Sequence, residues 1–131
     1  MPYQIDWYIE GRVIIEEVYG NVTIDELVRF NAEVTTLISE KGVPPVHVIV
    51  DLTRVEKYPP SLREIMGTMR KNDSAKVGWM LIVTESPVMR FIASTIFQLA
   101  RLKLRTFPTL PQAQQFLAEN DDTLVLTQSQ T

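Results

Sequence analysis

The sequence predicts an α/β domain: a mixed, mostly parallel sheet of about five strands, opened by an N-terminal β-hairpin and accompanied by four helices. Three observations carry this. β-rich runs alternate with helix-period segments along the 131 residues. Two helical segments open with capping boxes, Thr23-Ile-Asp-Glu26 and Ser61-Leu-Arg-Glu64. Two short runs, Val46–Asp51 and Val77–Thr84, are largely apolar on both faces, as strands in the middle of a parallel sheet are.

The elements follow in order. Tyr3–Tyr8 and Arg12–Tyr19 are rich in aromatic and β-branched residues, and Glu10-Gly11 between them is a tight turn, so the pair reads as an antiparallel hairpin. Thr23 caps the first helix. Ile24, Leu27, Val28, Val34 and Ile38 then recur at helical spacing until Gly42 and Pro44-Pro45 end it near residue 41. Val46–Asp51 is a buried strand that Asp51 terminates. A short helix from Ser61 to about Asn72 carries a narrow stripe of Leu62, Ile65, Met66 and Met69. Val77–Thr84 is the next buried strand. Ser86-Pro87 supplies an N-cap and a proline in the first turn for a helix over 87–102. Leu104–Phe107 is a short last strand, and Thr109 opens a final helix carrying Leu110, Ala113, Phe116 and Leu117. Residues 120–131 read as a polar C-terminal tail, although Thr123–Leu126 has the composition to pack back as an extended segment.

Composition narrows the function classes. Hydrophobic residues make up 45% and charged residues 22%, which is ordinary for a globular domain. The net charge of −3 gives no basic footprint for nucleic acid, and Arg101-Leu-Lys103-Leu-Arg105 is only a small local cluster. The absence of cysteine removes disulfides, thiolate metal sites and cysteine nucleophiles. No apolar run reaches the roughly 20 residues of a membrane span. Residues 1–6 lack the pattern of a signal peptide, so a cytoplasmic location is the expectation. The five glycines form neither a dinucleotide fingerprint nor a phosphate loop.

The order of elements, together with particular residues, resembles the STAS superfamily and its SpoIIAA-like branch. The residues are Tyr19-Gly20-Asn21-Val22-Thr23 leading into a long helix, Val48-Ile-Val-Asp51-Leu-Thr-Arg-Val55, and Thr106-Phe107 followed by Gln112-Ala113 and Phe116-Leu117. The resemblance covers residues 1–119. It implies a regulatory, protein-binding role without catalysis. It also implies a serine, at the start of the helix after the third strand, that a partner kinase phosphorylates within an Asp-Ser-Ser-Gly pattern. Here the aligned residues are Pro59-Pro60-Ser61-Leu62, so the usual acceptor position falls on Pro60, which has no hydroxyl. Ser61 is the one hydroxyl that remains, one position late. Read from the residues alone it is a helix N-cap, and a phosphate there would meet free amides and the helix dipole.

Several other residues have a bland and a sharp reading. His47 has no second histidine or cysteine to share a metal or a triad, and is expected as a satisfied, partly buried side chain. Glu16 and Glu17 point to opposite faces of their strand, and solvation accounts for both; it accounts equally for Asp121 and Asp122. Asp51, at the carboxyl end of its strand, either caps the following loop or contacts a ligand, with Tyr58 nearby in sequence. The helix over 87–102 is apolar around far more of its circumference than the roughly 100° stripe that packing on a sheet needs. The surplus around Met89, Phe91 and Phe97 meets a neighbouring helix or the tail, a second copy of the chain, or an apolar ligand.

These readings converge on a non-enzymatic regulatory or protein-interaction module. Its expected partner is a protein or a second copy in a homodimer, with no cofactor and no metal. The alternative is a protein that binds an apolar small molecule or lipid.

Overall fold

The computed structural model describes residues 3–57, 76–100 (backbone only at 96, 97, 99 and 100) and 103–124. Five strands form one sheet in the order β1-β2-β3-β4-β5, which is also their order in the chain. β1 (Tyr3–Ile9) pairs antiparallel with β2 (Val13–Asn21), and every later pair is parallel. The hairpin turn closes with Arg12 N–H donating to the Ile9 carbonyl at 2.9 Å. Gly11 sits there at φ +79°, a conformation that favours a residue without Cβ.

α1 (Ile24–Lys41) begins at the capping box foreseen from the sequence. Thr23 Oγ1 accepts from Glu26 N–H at 3.2 Å, and Glu26 Oε1 accepts from Thr23 N–H at 2.9 Å. α2 (Pro87–Ala100) follows β4 (Val77–Val83), and α3 (Leu110–Asn120) follows β5 (Leu104–Phe107). Three helices lie among the described residues. The fourth, expected over 61–72, falls outside them.

The strands of the parallel part are covered on both faces. One layer holds Ile14, Val18, Val48, Val50 and Ile82 of the sheet with Phe30, Val34 and Ile38 of α1 and Ala93 of α2. The other holds Val13, Ile49, Leu81 and Val83 with Ala113 and Leu117 of α3. The alternation Val48/Ile49/Val50 feeds the two layers in turn, which is why β3 reads as one continuous apolar run.

β3 (Val46–Lys57) is longer than the run Val46–Asp51 suggested. Asp51 pairs with Val83, the last residue of β4, so β3 loses that neighbour there. β2 continues beside it, pairing Tyr19 with Arg54 and Asn21 with Lys57. Leu52 and Val55 still pack on the α1 layer. The strand therefore runs on as a two-stranded ribbon with irregular register, and polar residues fill its uncovered positions.

Candidate functional site

Asp51 stands where β3 leaves the body of the sheet and is half-buried. Its Oδ1 accepts from Thr53 N–H at 3.0 Å and from Thr53 Oγ1–H at 2.7 Å, so the carboxylate caps its own chain as the bland reading held. Glu17 is its register partner on β2. Tyr19 donates its hydroxyl to Glu17 Oε2 at 3.1 Å, and the Arg54 guanidinium lies 5.7 Å from the Tyr19 ring centroid. Burial first, then the Glu17 carboxylate, push the Tyr19 phenol above its ordinary value. This polar strip satisfies itself. Tyr58 and Ser61 lie outside the described residues.

α2 starts beside these strand ends. Thr84, buried at the end of β4, accepts Ser86 N–H on its Oγ1 at 3.1 Å, and Ser86 Oγ accepts Met89 N–H at 3.2 Å. Ser86 is thus the N-cap predicted from Ser86-Pro87. The cap fixes which way the helix faces. Ala93 is buried and Met89 half-buried, whereas Phe91 is 71% exposed and Val88 57% exposed. Positions 88 and 91 are three apart and share one side of the helix, so the two make a continuous apolar patch. The surplus hydrophobicity read from the sequence is open at Phe91 and covered in part at Met89. The Phe97 side chain lies outside the described residues.

His47 is satisfied, and its partners join opposite ends of the chain. Its Nδ1 accepts the Trp79 backbone N–H at 2.9 Å. The ring proton therefore sits on Nε2, 2.7 Å from Asp121 Oδ2. Arg12 Nη2 reaches the same oxygen at 3.0 Å and Thr123 Oγ1 at 3.0 Å. Burial is the largest influence on His47 and keeps it neutral, lowering it from its ordinary 6.5 against the pull of Asp121. Burial alone would raise Asp121, but hydrogen bonds from His47 and Thr123 outweigh it and hold the carboxyl at about 2. Only glycine lets β4 pass the imidazole here, because a Cβ at Gly78 would stand 2.6 Å from His47 Nδ1. Asp121 is thus no solvated tail residue. It caps α3 and ties it to β2 and β3.

Glu16 also departs from its expected place. It is 3% exposed, facing the α1 layer between Ile14 and Val18, and burial pushes its carboxyl well above the ordinary range. The alternation Ile14-x-Glu16-x-Val18 was the available signal. A residue between two core residues of one strand face shares that face.

The chemistry open to these groups is narrow. Both imidazole nitrogens are occupied, and Asp51 is engaged with Thr53. Among the described residues no cluster of three or more His, Asp or Glu side chains is placed to hold a metal. An apolar cavity of about 190 Å³ lies between α1 and β3–β4, lined by residues including Val34, Ile38, Val48 and Met80. No described helix is long and apolar enough to cross a membrane.

No family model and no curated protein matches the chain by sequence. Solved structures do match in fold. An uncharacterised protein with a SpoIIAA-like fold from Shewanella loihica PV-4 superposes with a TM-score of 0.64 at 10% identity, over 88% of this chain and 91% of that one. The anti-sigma factor antagonist SpoIIAA in its unphosphorylated form gives 0.60 at 17% identity, over 89% and 96%. An anti-sigma factor antagonist from Mycobacterium paratuberculosis gives 0.57 at 14%, over 88% and 94%. The chain therefore has a SpoIIAA-like fold, the one its element order and the segment Val48–Val55 resembled.

Proposed function

We propose that this chain is a regulatory protein-interaction module of the STAS-like type, working by docking and not by catalysis. It associates with a second copy of itself through the exposed side of α2. The observation that carries this is Phe91, a phenylalanine 71% exposed beside Val88 on a helix whose opposite side is packed. Leaving that patch in water forgoes about 25 cal/mol for each Å² of apolar surface a partner would cover. Support for the class comes from the fold, since two of the similar structures are named anti-sigma factor antagonists. Support for a non-catalytic role comes from the way His47, Asp51 and Asp121 spend their polar atoms on one another and on backbone.

The module works without the usual phosphoacceptor, because Pro60 stands at that position in the sequence. It acts in the cytoplasm. Light scattering on the eluting protein tests the association: the wild type runs as a dimer and Phe91→Glu as a monomer with an unchanged circular dichroism spectrum. A wild-type monomer at every concentration would reject the reading. Intact mass after incubation with a kinase of the anti-sigma class tests the serine, and no phosphate is expected.

One observation favours a second reading, a binder of an apolar small molecule or lipid. The cavity under α1 is lined mainly by Val34, Ile38, Val48, Val77 and Met80. Native mass spectrometry of the purified protein decides it, since a bound lipid would appear as a discrete added mass.

A further inference from the structure

Glu16 is the one acidic side chain that the described residues place inside the apolar layer beneath α1. Its cross-strand partners are Ile5 on β1 and Val50 on β3. Phe30, Val34 and Ile38 of α1 close the layer above the sheet. Among the described residues no hydrogen-bond donor or countercharge reaches its carboxyl.

The charged and titratable groups of the surrounding elements stand elsewhere. On β1, Tyr3 shares the face, and its phenol is tied to Glu33 of α1, with Arg29 and Glu26 beside it. Asp6 is exposed and bonded to Gln4. On β2, Glu17 and Tyr19 lie on the opposite face and bond each other. β3 offers the apolar Val46, Val48, Val50, Leu52 and Val55 to the layer, and α2 offers Ala93, with Arg90 exposed.

A second polar group without a partner shares that face. The indole Nε1–H of Trp7 is buried and bonded to nothing. Trp7 pairs with Ile14, and Ile5 pairs with Glu16, so Trp7 and Glu16 are diagonal cross-strand neighbours about 7–8 Å apart at the backbone. A buried indole donor without an acceptor and a buried carboxyl thus occupy diagonal positions on one face of the hairpin under α1.

We propose that Glu16 is a proton-dependent seat for α1: as the neutral acid it lets the helix lie on the β1–β2 hairpin, and as the carboxylate it lifts that helix and takes the Trp7 indole N–H. A neutral carboxyl in an apolar layer costs little beyond its unmade hydrogen bonds. An unpaired carboxylate there costs far more, and the structure relieves it by moving. Burial raises the carboxyl well above its ordinary 4.5, so the folded protein holds a proton that the open form releases. The closed state is therefore fully favoured below pH 4.5 and weakens as pH rises through the raised folded value. The release of one proton limits the loss to about tenfold per pH unit, and the loss is complete above the raised value.

Amide hydrogen exchange across pH 5–9, corrected for intrinsic exchange, tests this on wild type, Glu16→Gln and Glu16→Leu. In the wild type, protection of the α1 amides of Phe30 and Val34 falls as pH rises, by up to about tenfold per pH unit, against the β3 amides of Val48–Val50. In either variant that ratio stays flat, and one folded variant suffices. The Trp7 indole proton resonance moves downfield over the same range in the wild type only. A flat ratio in the wild type, an equal slope in a folded variant, or a uniform loss of protection across α1 and β3 would each overturn the proposal.

Discussion

Replacing Asp121 with Asn removes one negative charge from the point where Arg12, His47 and Thr123 meet, and leaves the side chain's shape and one acceptor oxygen in place. The structure sets the cost. The carboxyl sits at about 2 in the folded protein against an ordinary 3.8. At ~1.36 kcal/mol per tenfold change that difference is about 2.5 kcal/mol. Residual solvent contact at the Arg12–Asp121 pair trims it to about 1–2 kcal/mol. The sign follows from the depressed value: the contribution is complete above pH 3.8 and fades as pH falls towards 2. Urea unfolding at pH 7, followed by tryptophan fluorescence, should show Asp121→Asn less stable by about 1–2 kcal/mol with an unchanged slope on denaturant. Repeated at pH 3, the gap should be visibly smaller. Asp121→Ala should cost more, because it leaves the buried His47 Nε2–H without an acceptor. Equal stability of wild type and Asp121→Asn at pH 7, or a gap that ignores pH, would refute the stabilising role of the Asp121 carboxylate.

Other expectations rest on single features. Gly78→Ala drives a methyl to 2.6 Å from the His47 ring and should cost about 1–3 kcal/mol in thermal or urea unfolding. Leu117→Ala opens a cavity between α3 and the sheet at a fully buried position, and should lower stability by about 2–5 kcal/mol without changing the oligomeric state. Thr23→Ala removes one half of the α1 capping box, and about 1 kcal/mol of stability should go with it, read from the denaturation midpoint.

What could be read along the chain was what local rules determine. The hairpin turn at Gly11, the capping box at Thr23 and the Ser86-Pro87 start of α2 each follow from a few adjacent residues, and each stands where the sequence placed it. The element order, with the segment Val48–Val55, was enough to point to the SpoIIAA-like fold. Three features were harder because their cause lies across the fold. β3 continues past Asp51 only because β2 is long enough to accompany it, and strand length depends on the partner. Asp121 looked like a solvated tail residue because Arg12 and His47, its partners, are 109 and 74 positions away. Glu16 was assigned to solvent by its charge, although its strand face argued otherwise. Burial without a partner is rare enough for glutamate that residue type outweighed position.

In the proposed function, the side of α2 carrying Val88 and Phe91 is a surface between two copies of the chain. Because the sequence contains no cysteine, Val88→Cys places a single thiol on that surface. Its alkylation rate, measured from nanomolar to high micromolar protein, reports directly on whether anything covers it. The rate should fall steeply as the concentration rises through the dimer transition, while a control thiol at the exposed position 32 of α1 reacts at one rate throughout. A position-88 thiol that reacts at the same rate at every concentration would contradict the account.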